Sequence, residues 1–537
     1  MIVRPKKRAP VHKFSGDEPT PKPQAQPFSF PAPIRGWVLD DSLANPQAGG
    51  ASILDNWICT STGIRARGGK QKYATLDAAV SSLFTYKSGV TETFFGATAT
   101  KIYDITTIAD PDVVPSAAIT GQTDGYYSYE QFGTAGGDYL YAVNGTDSPQ
   151  LYDGSAWTAI TGVSSPAITG VTPSELSHVW SFANRLFFVR KDTKTAWYLP
   201  VDSIGGAASE FSLAGIFKKG GSLLFGATWS LDAGDGLDDK CVFVSTEGEA
   251  AVYEGTNPGS ASTWGKVGVY QITKPLGKNA TMQAGGDLLV ATELGIVPIS
   301  EAVRRDVASL SLGAVSSKIA PYWQKQAGVL STHPWEVLKW PQKNIMIVSQ
   351  PASDTDEGSC LVANLQTGSW SRITGWVTRC LGYFDEYGYF GSADSAVYKM
   401  EVGGSDDGAN YTCTYLGQHE SLGAVGMQKT ITQARASFQS STPILPKVSA
   451  QTDFSQITSG IPASPISTDI DVWDVGKWDI AKWDIGGAVT TNSLWTSVGK
   501  TGHVVAPEVQ LTFGYAAVPV VELVSIDVEF HVGARVA

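Results

Sequence analysis

The chain reads as an all-β protein: a β-propeller of six to eight blades, inserted in a second β-rich platform domain to which both chain ends contribute. Three observations predict this. Only 17% of the 537 residues are charged while 57 are glycine, a balance that suits short strands and tight turns rather than long solvated helices. A two-strand unit recurs through the middle of the chain, and flanks lie on either side of it, the C-terminal one carrying alternating apolar strands.

The recurring unit is an apolar or aromatic strand, a turn rich in Gly, Asp, Asn or Thr, and a second strand often ending in Tyr. It is met at Thr93–Ile105, Asp138–Gly154, Asn184–Pro200, Cys241–Gly255, Gly286–Ser300, Asn344–Trp370 and Tyr387–Gly403. The starts lie roughly 40 to 60 residues apart, the length of one four-stranded propeller blade. One such meander cannot bury both its faces, whereas a radial arrangement lets neighbours cover each other and leaves only short edges. Hairpin periodicity alone does not require closure, so a β-sandwich array or a solenoid is the structural alternative.

Residues 1–34 are of another kind, with eight prolines between Pro5 and Pro33 and a basic start at Arg4, Lys6, Lys7, Arg8 and Lys13. This composition favours polyproline II and predicts an extended arm, either a free tail or one that orders against a neighbouring subunit. The opening MIVRPKKRAPVHKF has no apolar core, so no secretory signal is expected. Residues 35–90 and 406–537 are expected to build the platform, and residues 91–405 the propeller. Strands such as Ile431–Phe438 and Pro519–Val532 alternate as platform strands should.

A net charge of -12 argues against a nucleic-acid binder, although an acidic wall suits a surface past which DNA slides. The five cysteines are scattered, with no CxxC pair, and predict isolated buried thiols. The sequence contains no HExxH, GxSxG or Walker motif, and its six histidines are dispersed. No catalytic, cofactor or metal site is therefore expected. Of two acidic loops, the one with Asp232, Asp235, Asp238 and Asp239 misses the alternate-position spacing of a calcium loop, while the other offers Asp354, Asp356 and Glu357. Either has carboxylates for calcium, but exposed hairpin loops are acidic by default in a protein of this charge. Sequons at Asn144, Asn279 and Asn410 are taken as chance matches.

The most unusual segment is DVWDVGKWDIAKWDIGG, where Trp473, Trp478 and Trp483 recur every five residues, each followed by Asp474, Asp479 or Asp484. Period five fits neither a helix face nor a strand face, and points to repeated tight turns. The tryptophans either plug the adjoining sheet or lock subunits together, since Trp is favoured at the buried centres of interfaces.

With these features in view, the chain resembles a family of tailed-bacteriophage virion proteins, the tail nozzle or tail tubular protein B type. The resemblance rests on ASILDNWICTSTGIRARGGKQKY, where Asn56 and Gly69 match and the arginines stand at Arg65 and Arg67, and on the block Gly220–Pro258. GGDLLVATELGIVPIS, NLQTGSWSRITGW and the Trp-Asp repeat agree in order along the chain. The resemblance implies a structural, non-enzymatic protein of the virion, assembled in the host bacterial cytoplasm. It implies a homo-hexameric ring that extends and closes the DNA channel below the portal and head-tail adaptor, takes part in DNA ejection and carries tail fibres or spikes, with phage DNA passing through without sequence-specific binding. Asn56, Arg65 and Arg67 join the three Trp-Asp pairs as candidate subunit-interface residues. The rival readings are a propeller glycosidase or lyase using Asp235 or Asp238, and a propeller that binds carbohydrate at a tail tip.

Overall fold

Six small antiparallel sheets and part of a nine-stranded sheet form the seven blades of a propeller around one axis, and the rest of that sheet forms the platform together with a six-stranded sheet. The computed structural model describes residues 25–43, 46–230, 239–330, 333–351, 359–441, 444–460, 490–514 and 517–533.

The innermost strands of the blades are Ser82–Ser88, Ser128–Thr134, Leu176–Phe182, Leu223–Trp229, Thr281–Ala284, Glu336–Trp340 and Cys380–Phe384. Each packs against the next blade, the fourth meeting the fifth through Asp287–Thr292 and the Gln283–Thr228 hydrogen bond, and the seventh packs back against the first, so the ring is closed. Every one of the seven recurring sequence units forms the second and third strands of one blade. These middle strands are covered by a neighbouring blade on both faces, so they read as continuous apolar runs instead of alternating. In Arg185–Arg190, for example, Phe187 and Val189 enter the cluster shared with the fourth blade, while Leu186 and Phe188 enter the cluster shared with the second.

Seven apolar clusters result, one for each gap between blades. The largest, between the fifth and sixth blades, continues into the platform and carries the buried Trp323, Trp335 and Trp370. The fifth blade has three strands, and the helices Ile299–Arg304 and Ala320–Val329 follow it. The outer strand of the seventh blade is Lys70–Thr75, paired antiparallel with Ala396–Met400. A strand from before the first blade thus completes the last one, and the propeller strands begin upstream of the expected boundary at residue 91.

The platform joins both chain ends. Gln26–Pro31 lies antiparallel to Val521–Val532, and Gly50–Asp55 lies antiparallel to Tyr411–Gly417. The last ten residues of the expected arm therefore belong to the platform, where Pro27 and Pro31 sit in an edge strand, the position a residue without an N–H tolerates. Lys429–Ser440 and Val521–Val532 alternate buried and exposed as their sequences predict. The second platform sheet is continuous with the sixth blade, nine strands in all, so propeller and platform share backbone hydrogen bonds as well as a core.

Between Phe384 and Tyr387 the seventh blade turns on Asp385 and Glu386, both left-handed at φ 45° and 63°. A two-residue hairpin of this kind prefers glycine at its second position. Glu386→Gly is expected to raise stability by roughly 0.5–1 kcal/mol, because left-handed backbone costs a residue with a Cβ about 1–2 kcal/mol. Thermal melts of the two proteins check this, and an unchanged or lower melting temperature would refute it.

Candidate functional site at the chain crossing and the propeller axis

Two polar constellations stand out against the apolar blades. The first lies where the chain enters and leaves the propeller. Arg67, on the way in, is fully buried, and its two terminal nitrogens donate to Asp406, on the way out, at 2.8 and 2.7 Å. Its Nε donates to Asn56 Oδ1 at 2.9 Å, and its remaining hydrogens reach the carbonyls of Gly68 and Thr374. The guanidinium stacks 3.9 Å from the ring centre of Tyr411 and 5.0 Å from that of Trp376.

Asn56 is equally committed. It adopts φ 63°, a conformation asparagine tolerates better than most residues. Its Nδ2 donates to Thr374 Oγ1 and to the Thr412 carbonyl, both at 2.7 Å, and its Oδ1 also accepts from Thr374 N. Arg65 pairs with Glu401 at 2.8 Å, which in turn accepts from Lys343 Nζ and Gly68 N. Burial alone would raise the Glu401 carboxyl, but Arg65, Lys343 and the Gly68 amide outweigh it and hold it below its usual range. Gly68 and Gly69 are required by close approach, since a Cβ would stand 2.8 Å from Glu401 and 1.9 Å from Ser405 O.

These residues were expected at a subunit interface. Asn56 and Arg67 are instead buried within one chain, with their hydrogen-bonding groups occupied, and they clasp the propeller's entry to its exit. Arg65 keeps partial exposure beside the same clasp. Trp473, Trp478, Trp483, Asp474, Asp479 and Asp484 lie outside the described residues, as do most of the two acidic loops. Among the described residues no group of three or more His, Cys, Asp and Glu could hold a metal ion. The five cysteines are free and buried, and burial pushes the Cys59 and Cys360 thiols up to about 12, which leaves them poorly nucleophilic.

The second constellation runs around the propeller axis, and sequence reasoning missed it. A belt of hydrogen bonds links every inner strand to the next. Tyr127 N donates to Ser82 Oγ, Ser181 Oγ to Glu130, Thr228 Oγ1 to the Ser181 carbonyl, and Gln283 Nε2 to the Thr228 carbonyl. Asn279 Nδ2 then reaches Glu336 at 3.4 Å, Leu381 N donates to Glu336 at 2.7 Å, and Thr85 Oγ1 donates to the Tyr383 carbonyl to complete the circle. His178 spans the second, third and fourth blades between Ser128 Oγ and the Gly226 carbonyl, and burial lowers its ring to about 3.

Across this belt runs a strut. Lys278, leading into the fifth blade, donates to the carbonyls of Tyr126 at 3.0 Å and Ser177 at 2.8 Å, which belong to the second and third blades. Asn279 beside it donates to the Tyr127 carbonyl at 2.9 Å. All these contacts fall at the N-terminal ends of the inner strands, so the axis is crossed there by side chains. Burial lowers Lys278 to about 7 and raises Glu336 to about 7, and each charge partly offsets the other's shift. Beyond the strut a cavity of about 700 Å³ extends along the inner strands as far as Gly133 and Asn184.

No family model matches the chain. No curated protein matches it either. Among solved structures it is similar to the computationally designed Ika8 protein, at 11% identity and a TM-score of 0.35, over 62% of this chain and 100% of that one. It is similar in the same measure to YCF48 from Cyanidioschyzon merolae, again at 11% identity and 0.35, over 62% of this chain and 99% of that one. Likeness at this level bears on neither function nor partners.

Proposed function

We propose that the chain is a non-enzymatic building block of a bacteriophage tail: a subunit of a ring that extends the DNA channel below the portal and adaptor. The supporting observation is the rigid mounting of the propeller. One nine-stranded sheet runs from the sixth blade into the platform, and the Arg67–Asp406 clasp ties the chain's entry to its exit. A scaffold that must transmit load is served by such a joint, whereas a tethered binding module is served by a linker.

In this reading the platforms of six copies form the tube wall through head-to-tail interfaces that close by rotation. DNA passes along the platform ring, whose net negative subunits let phosphate slide. The propeller axis is not the conduit, because the Lys278 strut occupies it. The propellers stand outside the tube, where an adaptor above and fibres or spikes around the ring have room to dock. Among the described residues no helix is long and apolar enough to cross a membrane.

Negative-stain imaging of the purified protein tests the reading. Six-fold rings with a central channel are expected, together with the protein's presence in DNA-filled particles. A stable monomer that is absent from such particles would overturn it.

A further inference from the structure

The cavity along the propeller axis has a shape and a chemistry that the ring reading does not use. It holds about 700 Å³, within the range of small-ligand sites at about 300–1,000 Å³. The Lys278–Asn279 strut closes it at the N-terminal ends of the inner strands. Among the described residues it is therefore a cup that opens toward the C-terminal ends of the inner strands.

Its walls are polar, and part of their hydrogen-bonding capacity is unused. Glu130 accepts from Ser181 N and Oγ through Oε1 alone, and Gln283 donates to the Thr228 carbonyl through Nε2. Among the described residues, Glu130 Oε2, Gln283 Oε1 and Thr281 Oγ1, all on residues lining the cup, have no protein partner. Lys278 Nζ has spent two of its three hydrogens on carbonyls. Tyr129 also lines the cup and keeps 39% of its surface open, unusual for an aromatic side chain on an inner strand.

These groups narrow the ligand class by elimination. An apolar ligand would strand the carboxylate and amide oxygens without donors, at a cost of about 1–3 kcal/mol each. An anion meets the carboxylates of Glu130 and Asp239, and a cation meets Lys278. A neutral molecule dense in hydroxyls suits these groups: it carries O–H donors for the free oxygens of Glu130 and Gln283 and oxygens that accept from Lys278 and Thr281, and a sugar's C–H face is the kind of surface that stacks on an aromatic ring such as Tyr129. We propose that the cup is a binding site for a neutral saccharide, one or two pyranose units entering from the mouth opposite the strut.

The test uses the full-length protein and titrates glucose, galactose, N-acetylglucosamine, lactose and maltose by ligand-observed NMR and calorimetry. At least one is expected to bind with a millimolar or tighter dissociation constant. Thr281→Val, which removes a hydroxyl at nearly constant volume, and Tyr129→Ala are each expected to weaken binding by about tenfold or more, a loss of about 1.4 kcal/mol. Thermal melts accompany both variants, and Gln283→Ala serves as a third probe if either fails to fold. Silence from all five sugars overturns the proposal, and so does binding that all the variants leave unchanged. Ring formation is scored separately by imaging, so failure here leaves the structural reading standing and its failure leaves the cup.

Discussion

Replacing Arg67 with Met is expected to cost about 3–5 kcal/mol of stability, the loss typical when one partner of a buried ion pair is removed. Asp406, only 9% exposed, would be left with both carboxylate oxygens short of donors, the carbonyls of Gly68 and Thr374 would lose the guanidinium, and Asn56 Oδ1 would keep only Thr374 N. Arg67→Lys is expected to rescue little, because an ammonium cannot present the planar fork that meets Asp406 at two oxygens while donating sideways to Asn56. The double variant Arg67→Met with Asp406→Leu should cost less than the two single changes added together, since neither charge is then stranded. Denaturant midpoints and thermal melts of the four proteins check this. A cost below about 1 kcal/mol for Arg67→Met would mean that the clasp is ornamental. Because the pair ties the entry to the exit of a seven-bladed ring, its loss should also expose the outer strand Lys70–Thr75 to proteolysis before the rest of the chain.

The second large effect is a pH dependence centred on the axis. Glu336 is raised to about 7, so between its ordinary range near 4.5 and pH 7 the folded chain holds a proton that the unfolded chain has released. Stability therefore falls as pH rises through that window. Lys278 is lowered to about 7 from 10.5, so above neutrality the unfolded chain holds the extra proton and stability rises with pH. The two together predict a dip in stability near pH 7. Glu336→Gln keeps a side-chain oxygen for Leu381 N while removing the charge, gives up the long 3.4 Å bond from Asn279 Nδ2, and should erase the acid limb. At pH 8 it is expected to raise the melting temperature, because the charge that burial disfavours is gone. Lys278→Met should erase the alkaline limb, although it also removes the two bonds across the axis. Melting temperatures between pH 5 and pH 10 decide the matter, and a Glu336→Gln curve parallel to that of the unaltered protein would refute it.

Much of the fold was legible because it is built from local patterns. RLFFVR, KCVFVS and DLLVAT announce strands buried on both faces, and each carries its own turn, so all seven hairpins are visible in the chain. Alternation in KTITQARASFQS likewise announces a half-buried platform strand. The polar constellations were not legible in this way. Arg67 drew notice only as part of a resemblance, and an interface role was the natural expectation for an arginine whose partner stands 339 residues away. Lys278 sits in KPLGKNAT, which has the look of a solvated loop, and Asn279 drew notice only as a chance sequon. Nothing near either residue signals the carbonyls, 101 to 152 residues distant, that hold them.

The sequence by itself determined the seven hairpins and the pairing of the chain ends into a second β domain. Both follow from hydrophobic period and turn chemistry, which act over a few residues. Only the tertiary structure decided the number of blades, the strand that closes the ring, the clasp at the crossing and the strut across the axis. Ring closure brings together groups from remote parts of the chain, and a charge can be buried at such a place only when distant donors and acceptors converge on it. No local pattern encodes that convergence.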